Sequence, residues 1–418
     1  MNPFESMPAK KAELIVDWSR LWPHPYDKRT VDPYTRTRII LMNGTEFENV
    51  WFSHQFQRHA CDNELRRTLA LLRRSEQQQQ KMLAHLKPCD ETMLEHTIGY
   101  EQLAVDLTAH LAKRVENHDL KAALDFALLE DFDHLYRYAD LLDTQCGVKA
   151  EVLVGRYTEI MPGRPTVAHH RHPYDSVRCP MMQEHPPVFD MLASNVITAA
   201  EQQTMNYYMN VAATYPEETG RRLYQEIGMI EEQHVTHYGS LLNPSLTWLE
   251  NLLIHQYTEC WLYWSCCETE TDNTLRELWG FMFEQELMHL HVAEDLLKKY
   301  EGKDWRCVIP EACFPAPLCL ESNIGYVREV LAHTVNNTAC REKYVDVCSL
   351  PADSDFAAYQ KQVNRNEQHV LSHTVIAQHI CEQGQDYRFE TTTHPIIPLR
   401  DRQHDNTTLG RKCTCQPS

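Results

Sequence analysis

The segment Glu231-Glu232-Gln233-His234 sets a carboxylate and an imidazole three residues apart inside a run of helical periodicity. Residues i and i+3 share one helix face, so Glu231 and His234 can address the same point. Glu201 stands 30 residues before Glu231. A helical hairpin that turns midway between the two brings Glu201 level with both. The pattern occurs again at an offset of 100 residues, as Glu101, Asp131 and His134. A third copy, Glu259, Glu286 and His289, has 27 residues between its first two members, about one helical turn less around the loop.

Each second acid lies on an apolar stripe. Asp131 shares its stripe with Leu124, Ala127, Leu128, Leu135 and Tyr138, Glu231 with Tyr224, Ile227, Val235 and Tyr238, and Glu286 with Trp279, Met282, Phe283 and Leu290. The acids are therefore expected to point inward. A buried carboxylate costs several kcal/mol unless it is paired or metal-bound, roughly speaking. No Arg or Lys recurs at matching positions, so a bound cation is the natural compensation.

Outward from these hairpins, the periodicity predicts helices over 91–115 and 117–143, 190–215 and 217–242, 246–268 and 273–300, and 321–346 and 354–383. Residues 144–189 carry Gly147, Gly155, Pro162, Gly163, Pro165, Pro173, Pro180, Pro186 and Pro187 and read as a long irregular crossover with the His-rich stretch His169-His170-Arg171-His172. Residues 302–320 read as a second connection. Two partly alternating runs around Asn43-Gly44 predict a β-hairpin over 36–53, followed by a helix from Phe56 to Leu86 whose polar segment Glu76 to Lys81 suggests solvation. The resulting fold class is all-α: two fused or repeated bundles with a small N-terminal β-hairpin extension. The expected divisions are 1–89 for that extension, 90–243 for a first bundle, 244–385 for a second, degenerate one, and 386–418 for a tail.

Which hairpins share a site depends on the connections. Residues 144–189 can traverse a bundle, whereas Asn243-Pro244-Ser245 cannot. The preferred pairing joins the hairpins of Glu101, Asp131 and His134 and of Glu201, Glu231 and His234; the competing one joins the second of these to Glu259, Glu286 and His289 in an up-down-up-down bundle. Under the preferred pairing, the last hairpin offers Asn336, Asn366 and His369 at the repeat positions, and amides are poor iron ligands. Glu259, Glu286 and His289 are then a weaker second metal set, helped at most by His333, Glu367 or His373.

Ala199-Ala200-Glu201-Gln202-Gln203 and Glu231-Glu232-Gln233-His234 resemble the ligand segments of ferritin-like di-iron carboxylate proteins, rubrerythrins in particular, over roughly residues 90–300. The resemblance implies four-helix bundles and two iron ions, or iron with manganese. It also implies an oxidoreductase reacting with dioxygen or peroxide, with an unidentified small-molecule substrate. Glu231 and Asp131 would bridge or flank the metals, Glu101 and Glu201 would be terminal, and His134 and His234 would each cap one. Asp131 is shorter than the family's usual Glu, which leaves metal spacing and identity open. No rubredoxin-type Cys pairs occur, so electrons would come from an external donor. The alternatives are a ferritin-like iron-binding or storage protein without turnover, and a helical scaffold with vestigial sites.

For single residues the plainer readings are also definite. Glu130, Glu232 and Glu284 point about 100° or more away from the ligand positions and read as supporting or surface groups. Tyr138, Tyr208 and Tyr238 read as core that could bond ligands or relay electrons. Trp261, Trp264 and Trp279 read as core, and His169, His170 and His172 as a solvated loop. Net charge of 40 minus 59, or −19, argues against nucleic acid and anionic membranes as partners. The start of the chain lacks a secretory pattern, the 15 Cys are odd in number and scattered, and free thiols in a cytoplasmic, possible homodimeric protein are expected. Cys413 and Cys415 read as a mobile thiol pair or a metal trap.

Overall fold

A computed structural model describes residues 1–9, 13–164, 168–183, 186–364 and 370–384. Among them the chain is mostly helical: α1 (Pro33–His59), α2 (Asn63–His85), α3 (Met93–Ala112), α4 (His118–Cys146), α5 (Ala150–Leu153), α6 (Val188–Thr214), α7 (Glu218–Gly239), α8 (Trp248–Thr269), α9 (Asn273–Glu301), α10 (Ile324–Thr334), α11 (Asp355–Val363) and α12 (Leu371–Gln383). The described strands, β1 (Asn337–Cys340) and β2 (Lys343–Asp346), form one antiparallel pair with Asn337 opposite Asp346. No described helix is long and apolar enough to cross a membrane. The described cysteines are free thiols except Cys348, which is disulfide-bonded; Cys413 and Cys415 lie outside the described residues.

Local chemistry sets the helix ends. Thr92 with Glu95 and Thr247 with Glu250 form capping boxes that start α3 and α8, satisfying two orphan donors each. Asn117 accepts from Asp119 and Leu120 to start α4, and the left-handed Gly147 closes it. Asp32 followed by Pro33 starts α1.

The chain divides into two compact units. The first comprises Met1–Glu91, Pro180–Gln203 and Leu242–Leu320, in which the α1–α2 hairpin packs with the α8–α9 hairpin, α1 against α8 and α2 against α9. The second comprises Thr92–Cys179, Thr204–Leu241 and the chain from Glu321, in which α4 packs with α3, α7, α10 and α12. Helix α6 runs through both, changing unit after Gln203.

Three expectations are corrected. No β-hairpin occupies 36–53; α1 runs unbroken through it. Gly44, read as a turn residue, is where α1 and α6 approach closely: a Cβ there would stand 2.9 Å from the Gln203 Cβ. Residues 1–89 are thus not an extension, since α1 and α2 belong to the first unit and pack there against α8 and α9. The helical hairpin expected over 321–346 and 354–383 is instead three short helices and the β1–β2 pair, and these belong to the second unit rather than joining α8 and α9. The irregular crossover is present; it lies in close contact with α4, where a Cβ on Gly163 would be 2.7 Å from that of Asp133.

Candidate metal centres

In the second unit, α3 carries Glu101, α4 carries Asp131 and His134, and α7 carries Glu231 and His234, all at most 1 % exposed. Two groups within this unit have ligand atoms within 4.8 Å of one another: Asp131, Glu231 and His234, and Glu101, His134 and Glu231. Five of the six residues of the expected first set are therefore brought together, with Glu231 common to both groups; Glu201 lies on the part of α6 that belongs to the first unit. His134 Nδ1 stands 2.9 Å from Glu231 Oε1, and His234 Nδ1 stands 3.2 Å from Glu231 Oε2 and 3.3 Å from Asp131 Oδ1. Burial pushes the Glu231 carboxyl up, but the charge of His134 and hydrogen bonds from both imidazoles override it and hold the group at about 2.

Behind this ring lies a second layer of bonds. His234 Nε2 donates to Glu130 Oε2 at 2.7 Å, which fixes the ring and directs Nδ1 toward the carboxylates. Glu130 also accepts from Arg171 at 2.8 Å and Arg164 at 3.1 Å, both from the crossover and both fully buried. Burial would raise the Glu130 carboxyl; Arg171 and the His234 bond hold it well below the ordinary range. Tyr208 donates its hydroxyl to Glu101. Glu130 is thus a buried partner of a candidate ligand, and Arg164 and Arg171 are the residues that sequence reasoning missed. Tyr138 and Tyr238 are buried. Glu232, half-buried, accepts from Thr236, and Glu284 accepts from the backbone of Ala9.

His169, expected in a solvated loop, is fully buried and its Nε2 meets the Arg164 carbonyl oxygen at 3.0 Å; burial holds its pKa well below the ordinary value. His170 pairs with Glu226 at 3.1 Å, and the His172 ring lies 3.7 Å from that of Tyr174. Trp261 and Trp279 are core, while Trp264 is half-buried beside Phe314.

In the first unit, Glu259 of α8 and Glu286 and His289 of α9 meet partners that the sequence reading did not assign, Glu46 of α1 and Glu76 of α2. The compact groups are Glu76, Glu286 and His289, and Glu46, Glu76 and Glu259. His289 Nδ1 lies 3.1 Å from Glu286 and 3.2 Å from Glu76. The signal was available: Glu46 precedes Glu76 by 30 residues and Gln79 follows by three, the spacing of the other copies with glutamine in place of histidine. Of the expected helpers from the last hairpin, the described ones do not belong to this unit. His333 is exposed and belongs with His373 to the second unit, as does Asn336. Asn366, Glu367 and His369 lie outside the described residues.

Several other buried acids in the chain are met by an arginine: Glu91 by Arg36, Glu270 by Arg38, Asp133 by Arg137, Glu130 by Arg171. Among the described residues no Lys or Arg forms an ion pair with Glu231 or with Glu46, Glu76, Glu259 or Glu286. Such a donor set suits a transition metal.

Comparison of the chain with family models, curated proteins and solved structures gives no match.

Proposed function

We propose that the second unit is a di-iron carboxylate centre of the ferritin-like kind, with iron and manganese as the possible mixed pair, and that the protein is an oxidoreductase reacting with dioxygen or peroxide. The observation that carries this reading is the convergence of Glu101, Asp131, His134 and His234 on Glu231, with the inward nitrogen of His234 set by Glu130; Glu201 is proposed as the sixth ligand. Both inward atoms of the His234–Glu231 pair are ligand-type donors, and among the described residues no Lys or Arg forms an ion pair with Glu231.

Iron held there would supply one-electron chemistry toward dioxygen or peroxide. The chain's own residues do the remainder. Glu130 holds His234 in one orientation and favours the proton on Nε2. Tyr208 fixes one oxygen of Glu101. The buried ring keeps bulk water from the carboxylates and so strengthens their hold on a cation. An external electron donor and a small-molecule substrate complete the proposal.

The test uses metal-free full-length chain titrated anaerobically with Fe²⁺ and then exposed to oxygen. The expected result is about two Fe²⁺ bound in the second unit, followed by oxygen uptake in step with the iron bound. Binding without uptake beyond that of free iron supports storage instead. No binding overturns the centre.

A further inference from the structure

We infer that the first unit is a separate cation centre, built from Glu46, Glu76, Glu259, Glu286 and His289, that takes a hard divalent cation of the manganese class. The two groups that meet at Glu76 differ in their atoms. Glu76, Glu286 and His289 offer one nitrogen, whereas Glu46, Glu76 and Glu259 offer oxygen alone. In the second unit each group contains an imidazole. The difference lies at the repeat position of His134, which in the first unit is Gln79.

Gln79 does not fill the missing ligand place. Its Nε2 donates to Glu286 Oε1 at 2.5 Å, so it restrains a carboxylate. Neighbouring side chains do the same for the other acids. Asn49 donates to Glu259 Oε2 at 2.7 Å, Gln256 to the same oxygen at 3.0 Å and to Glu76 Oε1 at 3.2 Å, and Tyr263 to Glu46 Oε1. Each of Glu46, Glu76 and Glu259 is thereby held by one oxygen while its other has no hydrogen-bond partner: Glu46 Oε2, Glu76 Oε2 and Glu259 Oε1. His289 Nε2 is also buried without one. These side chains are at most 2 % exposed.

Donors arranged this way suit a cation and little else. Four carboxylates face one imidazole, and no guanidinium or ammonium pairs with them among the described residues. Amide donors orient carboxylates without neutralising them. Carboxylate-rich sets favour Mn²⁺ and Mg²⁺ relative to imidazole-rich ones, which favour iron, cobalt and zinc. The restraining amides make the set stiff enough to discriminate.

The test is independent of the second unit when run in a Glu231→Ala background. Metal-free full-length protein is titrated with Mn²⁺, and the loss of the free-ion electron paramagnetic resonance signal measures binding. Saturable Mn²⁺ binding is expected to persist in that background and to weaken at least about tenfold on adding Glu76→Gln, a change that keeps side-chain volume. Gln79→His is expected to shift selectivity from Mn²⁺ toward Co²⁺ by about tenfold, read by competition and by the Co²⁺ visible spectrum. Circular dichroism checks that each variant is folded, and Gln79→His carries the test should Glu76→Gln unfold. Absent Mn²⁺ binding, or binding indifferent to both substitutions, overturns the proposal and leaves a cluster neutralised by protons.

Discussion

Glu231→Ala is expected to remove iron from the second unit, lowering affinity there by at least about 100-fold, because one carboxylate belongs to both ligand groups. The loss reaches both positions at once. Substituting Glu101, which belongs to one group only, is less damaging for that reason. Elemental analysis after loading measures the change directly, and thermal unfolding measures it through linkage. Iron that binds only the native state raises the melting temperature by mass action, so the parent's transition shifts upward while that of Glu231→Ala does not move. Equal iron content and equal shifts in the two proteins contradict the assignment.

The second large effect concerns support rather than ligation. Glu130→Ala is expected to destabilise the protein by about 3–5 kcal/mol, because it strips the carboxylate from two guanidiniums taken wholly out of water. Arg164 and Arg171 are both fully buried. Burial, with the neighbouring charge of Arg171, outweighs the pull of Glu130 and lowers the Arg164 guanidinium to about 10. Their other partners are carbonyl and hydroxyl oxygens: Phe126 and Thr334 for Arg164, Ser176 and His169 for Arg171. Those oxygens accept hydrogen bonds but carry no compensating charge. Removing Glu130 also frees His234 Nε2. The check is a urea unfolding curve with a lower midpoint and an unchanged slope. A loss below about 1 kcal/mol would mean that the buried guanidiniums find solvent or another acid.

Much of this arrangement could be read from the chain, and the failures have physical causes. The hairpins α3–α4, α6–α7 and α8–α9 were legible because each acid falls on an apolar stripe at a fixed interval, which a helix alone explains. The α1–α2 hairpin carries the same interval at Glu46, Glu76 and Gln79, yet its stripe is obscured. In α1 the residues Thr35, Arg36, Thr37 and Arg38 are all buried, so polar and apolar positions no longer mark two faces. Arg36 is compensated by Glu91 and Arg38 by Glu270, distant partners that local periodicity does not reveal. The resulting alternation imitates a strand, and Gly44, needed for close approach to Gln203, imitates a turn.

Glu130 was left open between a supporting and a surface role for a related reason. A residue 100° from a ligand is on the surface only when the helix has a wet side, and α4 is buried continuously from Phe126 to Asp143. Arg164 and Arg171 sit in an irregular segment without periodicity, where burial follows from tertiary packing alone. The length of the 144–189 crossover favoured joining the first two hairpins; α4 does pack with α7, while α6 changes unit after Gln203. The pairing of α8–α9 with α1–α2 was not legible, since that partner lies at the opposite end of the sequence.

Anomalous X-ray diffraction at the iron edge, on crystals of iron-loaded full-length protein, tests the central claim most directly. Two strong peaks are expected beside Glu231, among Glu101, Asp131, His134 and His234, both lost in Glu231→Ala. Iron-loaded crystals with no peak beside Glu231, or with iron held only at surface carboxylates, contradict it.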